Sequence, residues 1–137
     1  MSEPSIVVKW RGWAPQLLSV LRIVAAFLFI QFGTMKWFAF PVALPPGVTA
    51  QFGSLFWFAG LLEIVGGACI LLGLFTRPIA FVLAGEMAIA YFKGHALRFG
   101  FWPIINQGTP AIMFCFFYLY LSAAGPGPWS LDAKRGK

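Results

Sequence analysis

Four long apolar stretches separated by short polar breaks set the pattern of this chain. The first runs from about Leu17 to Trp37 and the second from about Leu55 to Phe75. The third runs from about Pro78 to Phe92 and the fourth from about Thr109 to Ala124. The first two reach the roughly 20 residues that a helix needs to cross a bilayer. The last two are shorter and are expected to extend into their flanks. Backbone polar groups in hydrocarbon must be satisfied within the segment, so each stretch is predicted to be helical. Pro41, Pro45, Pro46 and Gly47 punctuate the first connection. Gly73, Thr76, Arg77 and Pro78 make a tight second turn, with Thr76 as the cap of the next helix and Pro78 in its first turn. Gly94, Gly100 and Pro103 fall in the third connection. Thr109 and Pro110 read as a cap and a first helical residue, and Gly125-Pro126-Gly127-Pro128 stops the fourth stretch. The expected fold is all-α: an integral membrane, four-helix, up-and-down transmembrane bundle with both termini on one side. Residues 1–16 would be a cytoplasmic N-terminal segment, 17–125 the bundle, and 126–137 a cytoplasmic tail.

Composition supports a lipid solvent. Of 137 residues, 60% are apolar and 18% aromatic, and only 10% are charged, against about 25% in soluble domains. A chain this short has too much surface for its volume to hide that apolar area from water. A water-soluble enzyme, a nucleic-acid-binding module and a disordered tail are thereby excluded, and membrane lipids are the expected surroundings. The net charge of +6 comes from basic residues that form no stripe suited to nucleic acid. They read as topology signals. Lys9, Arg11, Arg77, Lys134, Arg135 and Lys137 would share one side, and Lys36, Lys93 and Arg98 the other. The first side is then cytoplasmic, giving a multi-pass protein of the cell (inner) membrane with both termini inside. Trp10 and Trp13 suit one interface, and Trp37, Trp57 and Trp102 the opposite one. The first span does not read as a cleavable signal peptide. It is too long, contains Arg22, and lacks a small-x-small cleavage site after it. Cys69 and Cys115 read as buried thiols, since no spacing suggests a redox pair. One histidine and four scattered acids offer no metal ligand set.

The candidate chemistry lies in the ionisable groups of the spans: Arg22 and Lys36 in the first, Glu63 in the second, Glu86 in the third. Each costs at least about 2.5 kcal/mol near the bilayer centre if unpaired, so each marks a candidate site. Arg22, Phe29 and Lys36 are spaced by sevens and share a helical face. Arg22 and Lys36 are then about 21 Å apart along the axis. Two cations and two carboxylates facing inward would form a charge-compensated core. Arg22 would reach Glu63 and Lys36 would reach Glu86, or the reverse. Snorkelling to headgroups is the alternative for the two cations, and a purely structural salt bridge is the alternative for the acids. His95, beside Lys93 and Arg98, is expected in a solvated outer loop, with a proton relay to Glu86 as the alternative. Gly60, Gly66, Gly67 and Gly73, with Ala80, Ala84 and Ala88, form small-residue faces. They predict close packing of the second span on the third, with a homodimer interface as the alternative.

Several motifs together resemble the DoxX family. They are Leu21-Arg22, Gly33-Thr34-Met35-Lys36, Gly60-Leu61-Leu62-Glu63-Ile64-Val65-Gly66-Gly67, and Leu72-Gly73-Leu74-Phe75-Thr76-Arg77. Met87 with Ala90, Asn106-Gln107-Gly108 and the closing Gly125 to Asp132 complete the set, which covers about residues 17–133. The resemblance implies a small four-helix membrane protein associated with membrane redox chemistry. On this reading a quinone would bind between the helices, with no covalently bound cofactor. Lys36 and Glu63 are the first choice of binding residues, with Arg22 and Glu86 in the same polar site. The competing expectation is a non-catalytic accessory or assembly subunit of a larger membrane or redox complex.

Overall fold

In the computed structural model the described residues are 4–44 and 50–136. Pro45, Pro46 and Gly47 of the first break, and Lys137 of the basic set, lie outside them. All regular elements among the described residues are helical. A short α1 (Ser5–Arg11), exposed along its length, leads into α2 (Ala14–Phe38). Pro15 sits in the first turn of α2, where its missing N–H costs nothing. The Ser54 side-chain oxygen accepts the Trp57 N–H at 3.1 Å and so caps α3 (Leu55–Leu72). Gly73 ends α3 with a left-handed backbone, φ +69°. Then comes α4 (Thr76–Ile89), which runs on as a π-helical segment (Ala90–Ala96) and a last turn, α5 (Leu97–Phe99). The third stretch thus extends into its flank as expected, whereas the fourth, also expected to extend, keeps its sequence bounds. A single turn, α6 (Pro103–Asn106), precedes α7 (Thr109–Ala124), and α8 (Leu131–Lys134) lies in the tail.

Two expected caps are not caps. Thr76 and Thr109 are the first residues of their helices, preceded by Phe75 and Gly108, neither of which offers a side-chain cap. The start of α4 is capped instead from the tail: the Asp132 carboxylate accepts the N–H groups of Phe75 and Thr76.

The helices pack as two close hairpins, α2 on α3 and α4 on α7, joined through α3 and α4. Here the glycine face of α3 corrects the expectation. Gly60 and Gly67 face α2, not α4: a Cβ on Gly60 would meet the Trp37 ring at 2.7 Å, and one on Gly67 would meet Ile30 at 2.6 Å. Only Gly66 faces α4, through Leu83. Ala80 and Ala84 are buried, but the closest partner of α4 is α7. Between α2 and α7 the contact is made by rings. Phe29 meets Phe114 at 5.2 Å and Tyr118 at 5.0 Å between centroids, and Phe32 meets Phe114 at 6.1 Å. Such tilted and edge-on pairs hold two helices with their backbones apart.

Helices α2 and α3 are long and apolar enough to cross a membrane. Their outer faces are apolar and open: Phe27 is 62% exposed and Val65 54%. Cys69 and Cys115 are free, half-buried thiols on α3 and α7. Trp37 and Trp57 stack on one another at 4.6 Å, and the Trp37 indole N–H donates to the Trp57 carbonyl at 2.9 Å.

Candidate functional site

The four span charges divide between two places. Lys36 pairs with Glu63, its Nζ donating to both carboxylate oxygens at 2.9 and 2.8 Å. The pair is deep, with side-chain exposures of 14% for Lys36 and 3% for Glu63. Its geometry comes from the helix crossing one turn earlier. Gly33 precedes Lys36 by three residues and Gly60 precedes Glu63 by three. A Cβ on Gly33 would lie 2.9 Å from the Gly60 carbonyl oxygen. Two glycines in contact bring the backbones close enough for a lysine to reach a glutamate across the seam. The ammonium also lies over the Phe56 ring at 5.0 Å and the Phe32 ring at 5.9 Å, which adds cation–π attraction.

Glu86 brings its carboxyl beside that of Glu63, within hydrogen-bonding reach, and Lys36 is its other charged neighbour. Both Glu86 oxygens are buried and receive no donor from the described residues. Tyr118 closes the group from α7: it is fully buried, its hydroxyl has no partner among the described residues, and it feels both carboxyls. A phenol at Tyr118 is the signal that a charge-only reading of the spans overlooks.

Arg22 does not join this cluster, and its expected reach to Glu63 is not found. It is also not a snorkelling residue, since it is 1% exposed. Its guanidinium donates to the carbonyl oxygens of Pro126, Trp129 (2.7 Å) and Leu71 (3.4 Å). Ser19 lies alongside, and its oxygen accepts the Trp129 N–H at 3.1 Å. The α2 cation nearer the N-terminus thus ties down the chain after α7, and only Lys36, Glu63 and Glu86 come together.

A cavity of about 120 Å³ opens onto the ion pair, lined by Lys36, Glu63, His95, Gln107, Phe32 and Phe114 among others. His95 is accordingly not a solvated loop residue. It sits half-buried in the π-helical segment, with Nδ1 2.9 Å from the Asn106 carbonyl oxygen. A carbonyl only accepts, so Nδ1 carries the hydrogen and Nε2 is left for the cavity or solvent. Asn106 holds this corner rigid. Its amide donates to the Gly100 carbonyl at 2.8 Å and to the Tyr91 hydroxyl at 3.3 Å, and its oxygen accepts the Gly108 N–H at 2.8 Å. The next residue, Gln107, adopts φ +59° and reaches the cavity wall. Neither residue can be assigned to the site by spacing alone, because the turns between Phe99 and Thr109 follow no helical period. A second, more open hollow of about 310 Å³ lies outside, lined by Leu28, Gln31, Phe32, Met35 and Phe114. Lys93 and Arg98 remain on the exposed surface. No cluster of metal-ligating groups occurs among the described residues.

The sequence pattern of the DoxX family matches residues 17–96. That stretch holds Arg22, Lys36, Glu63, Glu86 and His95. An uncharacterized protein of Haemophilus influenzae is 42% identical over 124 residues, covering 89% of this chain and 92% of its own. An uncharacterized membrane protein of Mycobacterium tuberculosis is 32% identical over 137 residues, covering 90% of this chain and 83% of its own. No solved structure matches the chain significantly.

Proposed function

The chain belongs to the DoxX family of small membrane proteins, and from that premise we propose that it holds the head of a quinone at its intramembrane ion pair. The observation that carries this reading is the cavity in which Lys36 and Glu63 meet His95 and Gln107 behind an aromatic wall. Its volume of about 120 Å³ is on the single-ring scale, since a cavity of roughly 150 Å³ takes benzene. A few polar groups converging in an apolar hollow are what a small lipophilic ligand needs.

Each group has a defined task. Lys36 donates to a ring oxygen with an ammonium N–H that Glu63 does not engage. Gln107 offers an amide, and His95 offers Nε2, which accepts when the ring is neutral and donates when it is charged. Glu86, beside the paired Glu63, is the carboxyl free to carry an exchangeable proton, and the Tyr118 hydroxyl is a further donor at the buried end. The quinone supplies a two-electron, two-proton carrier. The protein binds it, orients it and keeps proton-bearing groups beside its oxygens.

The proposed setting is a four-helix, up-and-down transmembrane bundle in the cell's inner membrane. Helix α4 with its extension, and α7, would complete the spans begun by α2 and α3. The start of α2, the α3–α4 turn and the tail meet at one end through Ser19, Trp129, Asp132 and Thr76. Both termini would therefore share a side, and the basic residues favour the cytoplasm for it. The accessory-subunit reading draws on α1, whose Ile6, Val8 and Trp10 are exposed and suited to docking on a larger membrane or redox complex. A second copy of the chain is the alternative partner there.

The test is extraction of bound quinones from protein purified in mild detergent, read by mass spectrometry. Stoichiometric quinone that disappears in Lys36→Met and Glu63→Gln is the expected result. Phospholipid alone, with a membrane enzyme co-purifying, would favour the accessory role.

A further inference from the structure

The inner cavity and the outer hollow share two walls, Phe32 and Phe114. These rings meet edge-on, with centroids 6.1 Å apart and an interplanar angle of 82°. They stand between α2 and α7, which are bridged by rings rather than by closely packed backbones. From this arrangement we infer that the site is loaded sideways from the bilayer: a quinone with an apolar tail passes between α2 and α7, and the tail stays in the Leu28–Gln31–Met35 hollow. This rests on the quinone reading of the inner cavity and adds the route and the part of the ligand that the outer hollow recognises.

Three observations support it. The first is size. The inner cavity holds a ring and little more, whereas the outer hollow is about 310 Å³ and more open. A tail that does not fit the inner cavity can continue through the shared wall into the outer hollow. The second is chemistry. The polar groups stand on the inner side, and the outer hollow is lined by Leu28, Met35 and two phenylalanines with one amide, Gln31. That amide turns back to donate to the Phe27 carbonyl at 3.4 Å, which lowers its demand for another partner. Polar head inside and apolar tail outside is the polarity of an amphiphile dissolved in the membrane. The third is mobility. Phe32 is partly exposed, and rotation of a partly exposed ring takes picoseconds to nanoseconds. Parting the two rings opens the wall while the Gly33–Gly60 contact and the α4–α7 seam stay closed. The Lys36 ammonium lies 3.5 Å from the Phe32 carbonyl and over its ring. The wall and the head-binding cation are therefore on adjacent turns of one helix.

The test compares two probes on the full-length protein in nanodiscs: decylubiquinone, and the same dimethoxy-methyl-benzoquinone ring without a tail. Affinities are counted per ligand dissolved in the lipid phase, so that partitioning does not pass for binding. Wild type is expected to hold the tailed quinone at least about tenfold more tightly. Leu28→Trp, which fills the outer hollow from a lipid-facing position, is expected to abolish that difference and leave the tail-less ring bound as before. Met35→Trp is the second filling variant. Equal affinity for both probes, unchanged by either tryptophan, overturns the lateral route while the quinone site stands. It would leave the hollow as a seat for an ordinary lipid chain. If neither probe binds in a way that Lys36→Met removes, the quinone reading itself fails.

Discussion

Asp132 caps α4 from the far end of the chain, its two carboxylate oxygens accepting the Phe75 and Thr76 N–H groups at 2.9 Å each. Its own N–H donates to the Gly73 carbonyl at 2.9 Å, so α8 is tied to both sides of the α3–α4 turn. Burial works against the ionised carboxyl here. The hydrogen bonds from Thr76 and Phe75, with Arg135 nearby, prevail and hold it below the usual carboxylate range. Because the folded value lies below the unfolded one, its stabilisation is complete above about pH 4. It fades as pH falls through the lower folded value. Asp132→Asn should lower stability at pH 7 by about 1–2 kcal/mol, the usual worth of a cap. Thermal unfolding in detergent should show wild type and variant converging as the pH is lowered below 4. A constant gap would mean that the charge is not what holds the turn.

Arg22 is the complementary fastening, and it should be irreplaceable by lysine. Its planar fork serves carbonyls on two different stretches, Leu71 at the end of α3 and Pro126 and Trp129 in the tail. A single ammonium reaches fewer of them. Arg22→Lys should cost about 1–3 kcal/mol through carbonyls left buried and unpaired. Arg22→Met should loosen the tail and speed trypsin cleavage at the already exposed Lys134 and Arg135. Quinone content should survive both changes, because the cavity residues Phe32 and Lys36 lie about 15 and 21 Å away along α2. Loss of ligand on Arg22→Lys, with the tail still protected, would join the two polar centres after all.

The division of the span charges shows what a one-dimensional pattern contains. Helix content and the fourth stretch's bounds are legible because apolar runs between prolines and glycines state them directly. That Lys36 and Glu63 are special is legible too, since charge in an apolar helix has no other reason to persist. Arg22 misleads because its partners are backbone carbonyls at the end of α3 and after α7, and carbonyls carry no residue identity. His95 misleads because the helix of α4 does not stop at Gly94. It runs on with a π-helical turn that carries the imidazole inward. The glycine face of α3 reads as one surface, yet Gly60 and Gly66 serve different neighbours. Six positions on a helix are about 120° apart around the axis.

The ion pair should depend on glycines that carry no charge. A Cβ on Gly33 would meet Ile64 at 2.7 Å and the Gly60 carbonyl at 2.9 Å. The Ile64 side chain can turn away, but the carbonyl cannot. Gly33→Ala should therefore push α2 from α3, cost about 1–3 kcal/mol as overpacking does, and reduce quinone content by parting Lys36 from Glu63. Gly85→Ala is the control. No described atom lies within 4 Å of a Cβ there, and alanine removes the helix penalty of glycine, about 1 kcal/mol. If both variants kept wild-type stability and ligand, the seam would not be what sets the pair.

Removing both members of the pair should do less harm to the fold than removing one. Lys36→Met leaves Glu63 and Glu86 facing each other with no cation between them. Glu63→Leu leaves the ammonium buried beside Phe32 and Phe56, with only Glu86 to turn to. Each single change should cost about 3 kcal/mol or more, as an orphaned buried charge does. The double variant leaves neither member of the pair charged without the other; only the Glu86 carboxyl remains, and two apolar side chains of similar bulk can pack across the Gly33–Gly60 seam. It should be more stable than both singles, with a coupling energy of about 1–3 kcal/mol in a double-mutant cycle. Quinone content separates the fold from the site. If the pair exists to hold a ligand, the double variant is well folded and empty. If the pair only fixes helix register, the double variant should lose its unique packing, and its unfolding transition should broaden.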